Sequence, residues 1–260
     1  MMDALRQDLR LAIRRLRRSP GFTAAAVLTL ALGIGANSAF FSLADAALLR
    51  PLPYPPADRL VMLWECQAAA GKERERASAA NFLDWRRESH AFAEMTAWAA
   101  WGLALTGGGE PEELPSVRAS ANLFRTLGVS PALGRGFLPE EETPGRDRVV
   151  VLSHGFWFGR LGGDPKALGR TLTLDGVPHE IVGVMPEGFR FPDDASVALW
   201  NPLAFDASEL ITRAERRFNV IARLAPGATL TDASAELEVM AARLAKEHPD
   251  TNAGWNTKNG

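Results

Sequence analysis

The sequence predicts an α+β protein: one N-terminal transmembrane helix followed by a two-lobed, mixed α/β extracytoplasmic domain. Three observations predict it. Phe22 to Ala44 (FTAAAVLTLALGIGANSAFFSLA) runs 23 residues without a charge. Six arginines, Arg6, Arg10, Arg14, Arg15, Arg17 and Arg18, crowd the segment before it. After it, strand-like and helix-like stretches follow one another without regular alternation. Ala132-Leu133-Gly134-Arg135 also recurs as Ala167-Leu168-Gly169-Arg170, which hints at two related lobes.

Residues 1–21 read as a cytoplasmic amphipathic arm. Leu5, Leu9, Ala12, Ile13 and Leu16 fall on one helical face and the six arginines on the rest. Such a helix lies along the inner leaflet with its arginines near lipid phosphates. Ser19-Pro20-Gly21 ends it.

Residues 22–46 read as the transmembrane helix. A helix over the uncharged run is about 34 Å long, and the hydrocarbon core of a bilayer is about 30 Å thick. In lipid, a single segment satisfies its backbone only as a helix. The basic flank puts the N-terminus inside and the large domain outside. Thr29, Gly33 and Asn37 form a stripe of small and polar residues that suits packing against partner helices. A cleaved signal peptide is the rival reading, with Ala44-Asp45-Ala46 as its small-x-small site. The apolar run exceeds the roughly 7–15 residues of a signal core.

Residues 47–56 form a stiff, proline-rich connector (Pro51, Pro53, Pro55, Pro56), and 57–260 the outer domain. With 260 residues, 47% hydrophobic and 23% charged, the chain has enough apolar content to build a core. Net charge is −2 while residues 1–20 sum to +4, so the remainder is acidic, which argues against nucleic-acid binding. Cys66 is the only cysteine, so the domain is held by packing rather than by an internal disulfide.

Within the domain, Leu60 to Glu65 reads as a strand and Lys72 to Arg76 as a solvated charge run. Asn81 to Glu88 reads as a short helix with Phe82 and Trp85 on one face. Phe92 to Thr106 is an apolar strand, Gly107 to Gly109 a turn, and Leu114 to Ala119 a strand. A short helix follows at Asn122 to Leu127. Glu140-Glu141-Glu142 reads as a solvated loop, Val149 to Leu152 as a buried strand, and Gly155 to Leu161 as a helical turn. Thr171 to Val184 is the clearest hairpin, with Asp175-Gly176 at its turn. Val197 to Trp200 and Phe218 to Leu224 are further strands. Thr231 to His248 is a helix capped by Thr231, favoured by Asp232, and stopped by Pro249.

No catalytic or metal-binding constellation emerges. The four histidines, His90, His154, His179 and His248, lack ligand spacing. Gly71-Lys72 lacks the rest of a phosphate-binding loop, so the chain does not itself hold ATP. Asp175, His179 and Glu180 share a hairpin, but as outward residues around its turn. The seven tryptophans suit core and interface packing better than a sugar platform. The residues therefore call for no cofactor and no enzyme activity.

Several blocks carry a resemblance. They are Ser19-Pro20-Gly21-Phe22-Thr23, Leu28 to Asn37 (LTLALGIGAN), Leu48 to Tyr54 (LLRPLPY), Asn81 to Arg86 (NFLDWR), Leu127-Gly128-Val129-Ser130-Pro131, and Val182 to Phe189 (VGVMPEGF). Together they resemble the macrolide-exporter-type, MacB-like ABC transporter permeases, in particular their acidobacterial-type branch. The resemblance implies a bacterial inner-membrane protein. It has a first transmembrane helix and a MacB-like periplasmic core domain of two lobes, one α+β and one β-rich. It also implies partners: membrane lipid, a separate cytoplasmic ABC ATPase subunit, the remaining permease helices, a second permease subunit in a homo- or heterodimer, and a periplasmic adaptor protein. Family permeases continue into three more membrane helices carrying an FtsX-like region, so the chain ending at Gly260 is expected to be an N-terminal fragment. The expected role is coupling of ATP hydrolysis elsewhere to motion of the outer domain, for efflux or mechanical signalling. The alternative is a signal-anchored or secreted binding module of the envelope with no transporter partner.

Overall fold

The structure, a computed structural model, describes residues 20–44, 59–192 and 196–259. The chain divides into two units, Met1–Leu52 and Pro53–Gly260. The first contains helix α1 (Pro20–Ala44), 25 residues without a charged side chain. Among the described residues, no helix is long and apolar enough to cross a membrane. The span expected over residues 22–46 draws in part on Phe22, Ala26, Ala36 and residues 39–46, whose side chains lie outside the described set. The arm with its six arginines and the connector 47–56 also lie outside it.

In the second unit the chain order is β1 (Leu60–Gln67), β2 (Lys72–Glu75), β3 (Ala77–Ser78), α2 (Ala79–Glu88), β4 (Phe92–Thr106) and β5 (Glu112–Ala119). Then come α3 (Leu123–Leu127), β6 (Leu133–Gly134), β7 (Val149–Leu152), α4 (His154–Leu161), β8 (Thr171–Leu174) and β9 (Val177–Val184). The chain finishes with β10 (Leu199–Pro202), α5 (Ala207–Ile211), β11 (Arg216–Leu224), α6 (Leu230–Glu247), α7 (Pro249–Asn252) and β12 (Asn256–Asn259). Among the described residues the strands form one continuous 12-stranded sheet.

Two substructures share the 15-residue strand β4. Its first half closes an open antiparallel sheet in the order β12-β1-β11-β4. Helices α2 and α6 cover one face of that sheet. Phe82 and Trp85 of α2 and Leu237, Met240 and Leu244 of α6 pack with Val61, Leu63, Met95, Ala97, Val220 and Ala222. The second half of β4 enters a closed circuit of pairings, β4-β5-β10-β7-β9-β8 and back to β4. Leu103, Leu114, Val150, Leu152, Leu174, Ile181 and Leu199 form its core. Because side chains alternate along a strand, Val149 and Val151 belong to a third cluster with Phe124 and Leu127 of α3, Phe137 and Trp200. The two substructures are joined through a common strand, without a linker, in one compact unit.

The repeated Ala-Leu-Gly-Arg has a local cause. Both copies lie along the same edge of β9. Ala132 N donates to Val184 O and Arg135 N to Val182 O, each at 2.8 Å, while Gly169 N donates to Ile181 O and Ile181 N to Arg170 O, each at 2.9 Å. Gly134 and Gly169 both take left-handed backbone (φ +70° and +74°). At Gly134 a Cβ would run into the carbonyl oxygen of Val182. Gly134→Ala is therefore expected to cost at least about 2 kcal/mol, from the left-handed backbone and the clash with main chain. Urea unfolding of the two chains measures it.

Other elements differ from expectation. Lys72–Glu75 keeps the exposed side chains of a solvated charge run but is also a strand, in a ladder with the far end of β1, Glu65 opposite Glu75. The cap of α6 is Thr229 rather than Thr231. Its hydroxyl accepts from Asp232 N at 3.2 Å while the Asp232 carboxylate accepts from Thr229 N at 2.9 Å. The Glu140-Glu141-Glu142 segment is a 3₁₀ turn, and Glu141 is buried at its centre. Its carboxylate accepts from Arg135 and from Leu138 N, which offsets the cost of burial. The last strand before α5 starts at Leu199 rather than Val197.

Candidate functional site

The residues expected to act lie in different places. Thr29, Gly33 and Asn37 are on α1. The Thr29 and Asn37 side chains are exposed, and the Thr29 hydroxyl donates back to Ala25 O at 2.9 Å, as serine and threonine do inside helices. A Cβ at Gly33 would meet nothing within 4 Å. Asp175, His179 and Glu180 do not converge. Asp175 sits in the hairpin turn with φ 49°, and its carboxylate accepts from Ala104 N at 2.8 Å; His179 Nδ1 lies 2.9 Å from Val177 O. Among the described residues, no group of three or more His, Cys, Asp or Glu is placed to hold a metal.

Two arrangements went unnoticed in the sequence. The first is a buried polar joint at the first end of the sheet. Glu65 on β1 is 1% exposed and pairs with Arg216 on β11. Its carboxylate also accepts from Asn81 Nδ2 at 2.9 Å and from Ser78 N at 3.3 Å, at the start of α2. Arg216 goes on to Thr251 O at 3.0 Å, and its guanidinium carbon stands 3.5 Å from the centroid of the Trp255 ring. Asn81 and Asn252 bond each other at 3.1 and 3.3 Å. Burial holds the Glu65 carboxyl above the usual carboxylate range, against the opposing pull of Arg216 and the two donors. The joint binds β1, α2, β11 and the C-terminal segment into one body. Its groups are satisfied by one another, so it is structural.

The second is a trough between α3 and the loops that flank it. A cleft of about 320 Å³ lined by Arg86, Glu94, Asn122, Arg125 and Glu142 borders another of about 450 Å³, and the two share Ala121, Asn122, Arg125 and Phe137. Its charges are paired internally. Arg125 meets Glu94 at 2.5 Å, Asn122 Nδ2 donates to Glu94 at 2.7 Å, and Arg86 grips both oxygens of Glu142 at 2.9 and 3.0 Å. Phe137 lies buried at its floor, and among the described residues the trough presents no activated nucleophile or base.

Similar folds exist among solved structures. A domain of a putative permease protein from Porphyromonas gingivalis is 16% identical, with a TM-score of 0.60, covering 80% of this chain and 92% of that one. The periplasmic region of MacB from Actinobacillus actinomycetemcomitans is 15% identical, with a TM-score of 0.55, covering 77% and 88%. The extracellular domain of the noncanonic ABC-type transporter YknZ from Gram-positive bacteria is 14% identical, with a TM-score of 0.53, covering 76% and 98%. At these identities the likeness concerns the fold. No curated protein matches this chain. The sequence itself, from residue 23 to residue 239, matches the family model of the MacB-like periplasmic core domain, and by that match the chain belongs to the MacB-like periplasmic core domain family.

Proposed function

We propose that this chain is the N-terminal part of a non-catalytic permease subunit of an ABC-type exporter. In this reading α1 spans the bacterial inner membrane, the arm before it is cytoplasmic, and the domain over residues 57–260 is periplasmic. ATP is hydrolysed by a separate cytoplasmic subunit. Helix motion passes into the outer domain for efflux or mechanical signalling. Arg6, Arg10, Arg14, Arg15, Arg17 and Arg18 contact inner-leaflet phosphates. Thr29, Gly33 and Asn37 pack against the remaining permease helices, in a homo- or heterodimer that meets a periplasmic adaptor.

The observation that carries this reading is the surface of α1 ahead of a domain of this family. Val27, Leu28, Leu30, Leu32 and Ile34 are 58–78% exposed on a helix with no charge. A helix apolar all round is stable only where lipid or other helices cover it.

A reporter enzyme active only outside the cytoplasm, fused after residue 60, tests the orientation. Activity is the expected result. An inactive reporter, with its cytoplasmic counterpart active at the same junction, overturns it.

A further inference from the structure

Strand β4 carries a notch in its edge. On one side it pairs without a break with β5, from Trp98 opposite Ala119 to Leu105 opposite Glu112. On the other side its ladder with β11 stops at Trp98 opposite Asn219. Pairing on that side resumes only at Ala104, which exchanges bonds with Asp175, and at Leu105 opposite Leu174 of β8. Six residue steps separate Trp98 from Ala104, about 20 Å of strand.

The direction of the backbone groups follows from the ladder. Ala97 bonds Ser120 on the β5 side and Ala104 bonds Asp175 on the other. In an antiparallel sheet successive residues face opposite edges. The N–H and C=O of Ala100 and of Gly102 therefore point into the notch, and among the described residues nothing pairs with them. Ala100, Trp101 and Gly102 are all exposed, in the middle of a strand otherwise largely covered.

We infer that this notch receives a short extended segment of a partner polypeptide, which pairs with Ala100 and Gly102 as an added strand. Exposed edges of this kind are ordinarily blunted, because they invite strand addition. The side chains around it set a preference. A residue of the incoming strand opposite Trp101 lies beside an indole that is 47% exposed, which favours a β-branched or aromatic side chain. The residues opposite Ala100 and Gly102 fall on the other face, where the Glu113 carboxylate lies over Gly102, which favours a basic side chain. The β4 edge of a second copy is a poor occupant: it is recessed between β11 and the β8–β9 hairpin in the same way, and two recesses do not interlock.

The test uses the full chain in detergent and a short synthetic peptide alternating valine and lysine. Hydrogen exchange at the Ala100 and Gly102 amides is expected to be fast alone and about tenfold slower with saturating peptide, as a newly formed bond requires. Methylating the peptide nitrogens along one edge is expected to abolish binding, while methylating the other edge leaves it intact. Ala100→Pro removes a donor in the notch without touching the β5 ladder and is expected to weaken binding about tenfold or more, with an unchanged melting temperature. No slowing at millimolar peptide, or equal binding by both methylated forms, overturns the inference. Slowing that grows with protein concentration in the absence of peptide assigns the notch to a second copy and also overturns it.

Discussion

Arg216→Ala is expected to destabilise the domain by about 3–5 kcal/mol, because it leaves the Glu65 carboxylate buried without its counter-charge. The loss reaches further than one pair. Arg216 also ties down Thr251 O and covers the Trp255 ring, so α7 and β12 lose their hold on the body of the domain. The pH dependence gives the mechanism its own signature. In the folded chain the Glu65 carboxyl is already held above its ordinary value by burial. A group raised on folding contributes stability that is present at low pH and is lost as pH rises through the folded value. Without Arg216 the carboxyl rises further. The penalty of the substitution is therefore expected to be largest near neutral pH and to shrink as pH falls toward the ordinary glutamate range. Adding Glu65→Gln to Arg216→Ala removes the stranded charge and is expected to recover part of the loss at neutral pH. Urea titrations at two pH values measure all of this, and a penalty that does not depend on pH would sink the account.

Trp200→Ala is expected to cost about as much, about 3–5 kcal/mol, by opening a cavity in the aromatic cluster behind β10. Trp200 is 1% exposed. Its ring centroid lies 5.2 Å from that of Phe189 and 6.0 Å from that of Phe124, both edge-on, and its Nε1 donates to Phe191 O at 2.9 Å. For a unit of this size the melting temperature should fall by about 10 °C. Trp200→Phe keeps a ring among rings and loses mainly the hydrogen bond, so about 1–2 kcal/mol is expected. The two substitutions together separate ring packing from the polar contact. Equal losses in the two would show that packing carries little of the effect.

Much of the fold was legible where the signal is local. The apolar run Phe92 to Thr106 is a strand over that whole range, and Thr171 to Val184 is a hairpin turning at Asp175-Gly176. Phe82 and Trp85 share the buried face of α2. What escaped depends on partners far away in the chain. Lys72–Glu75 carries only charge in its own sequence, and the ladder that makes it a strand comes from β1. Glu141 looks like one of three solvated acids until Arg135 closes on it. The joint at Glu65 draws on Asn81, Arg216 and Asn252, which are up to 187 positions apart in the chain, and no spacing rule connects them. The cap of α6 was recoverable: Thr229 stands three residues before Asp232, the spacing of a capping box, and Thr231 does not. The notch on β4 was not recoverable, because a strand's sequence does not say where its neighbour stops.

The entry and exit strands have a mechanical consequence. β1 and β12 lie side by side and antiparallel, with Leu63 opposite Asn259 and Cys66 opposite Asn256. Leu60 and Asn259 therefore emerge from the same end of the ladder. A tug that spreads these two points apart loads one rung at a time, beginning at Leu63, and the seam peels open like a zip. A tug that draws both the same way puts no strain on the seam, and the pair slides as a single bar against β11. The domain is compliant to being splayed at its root and stiff to being hauled by it.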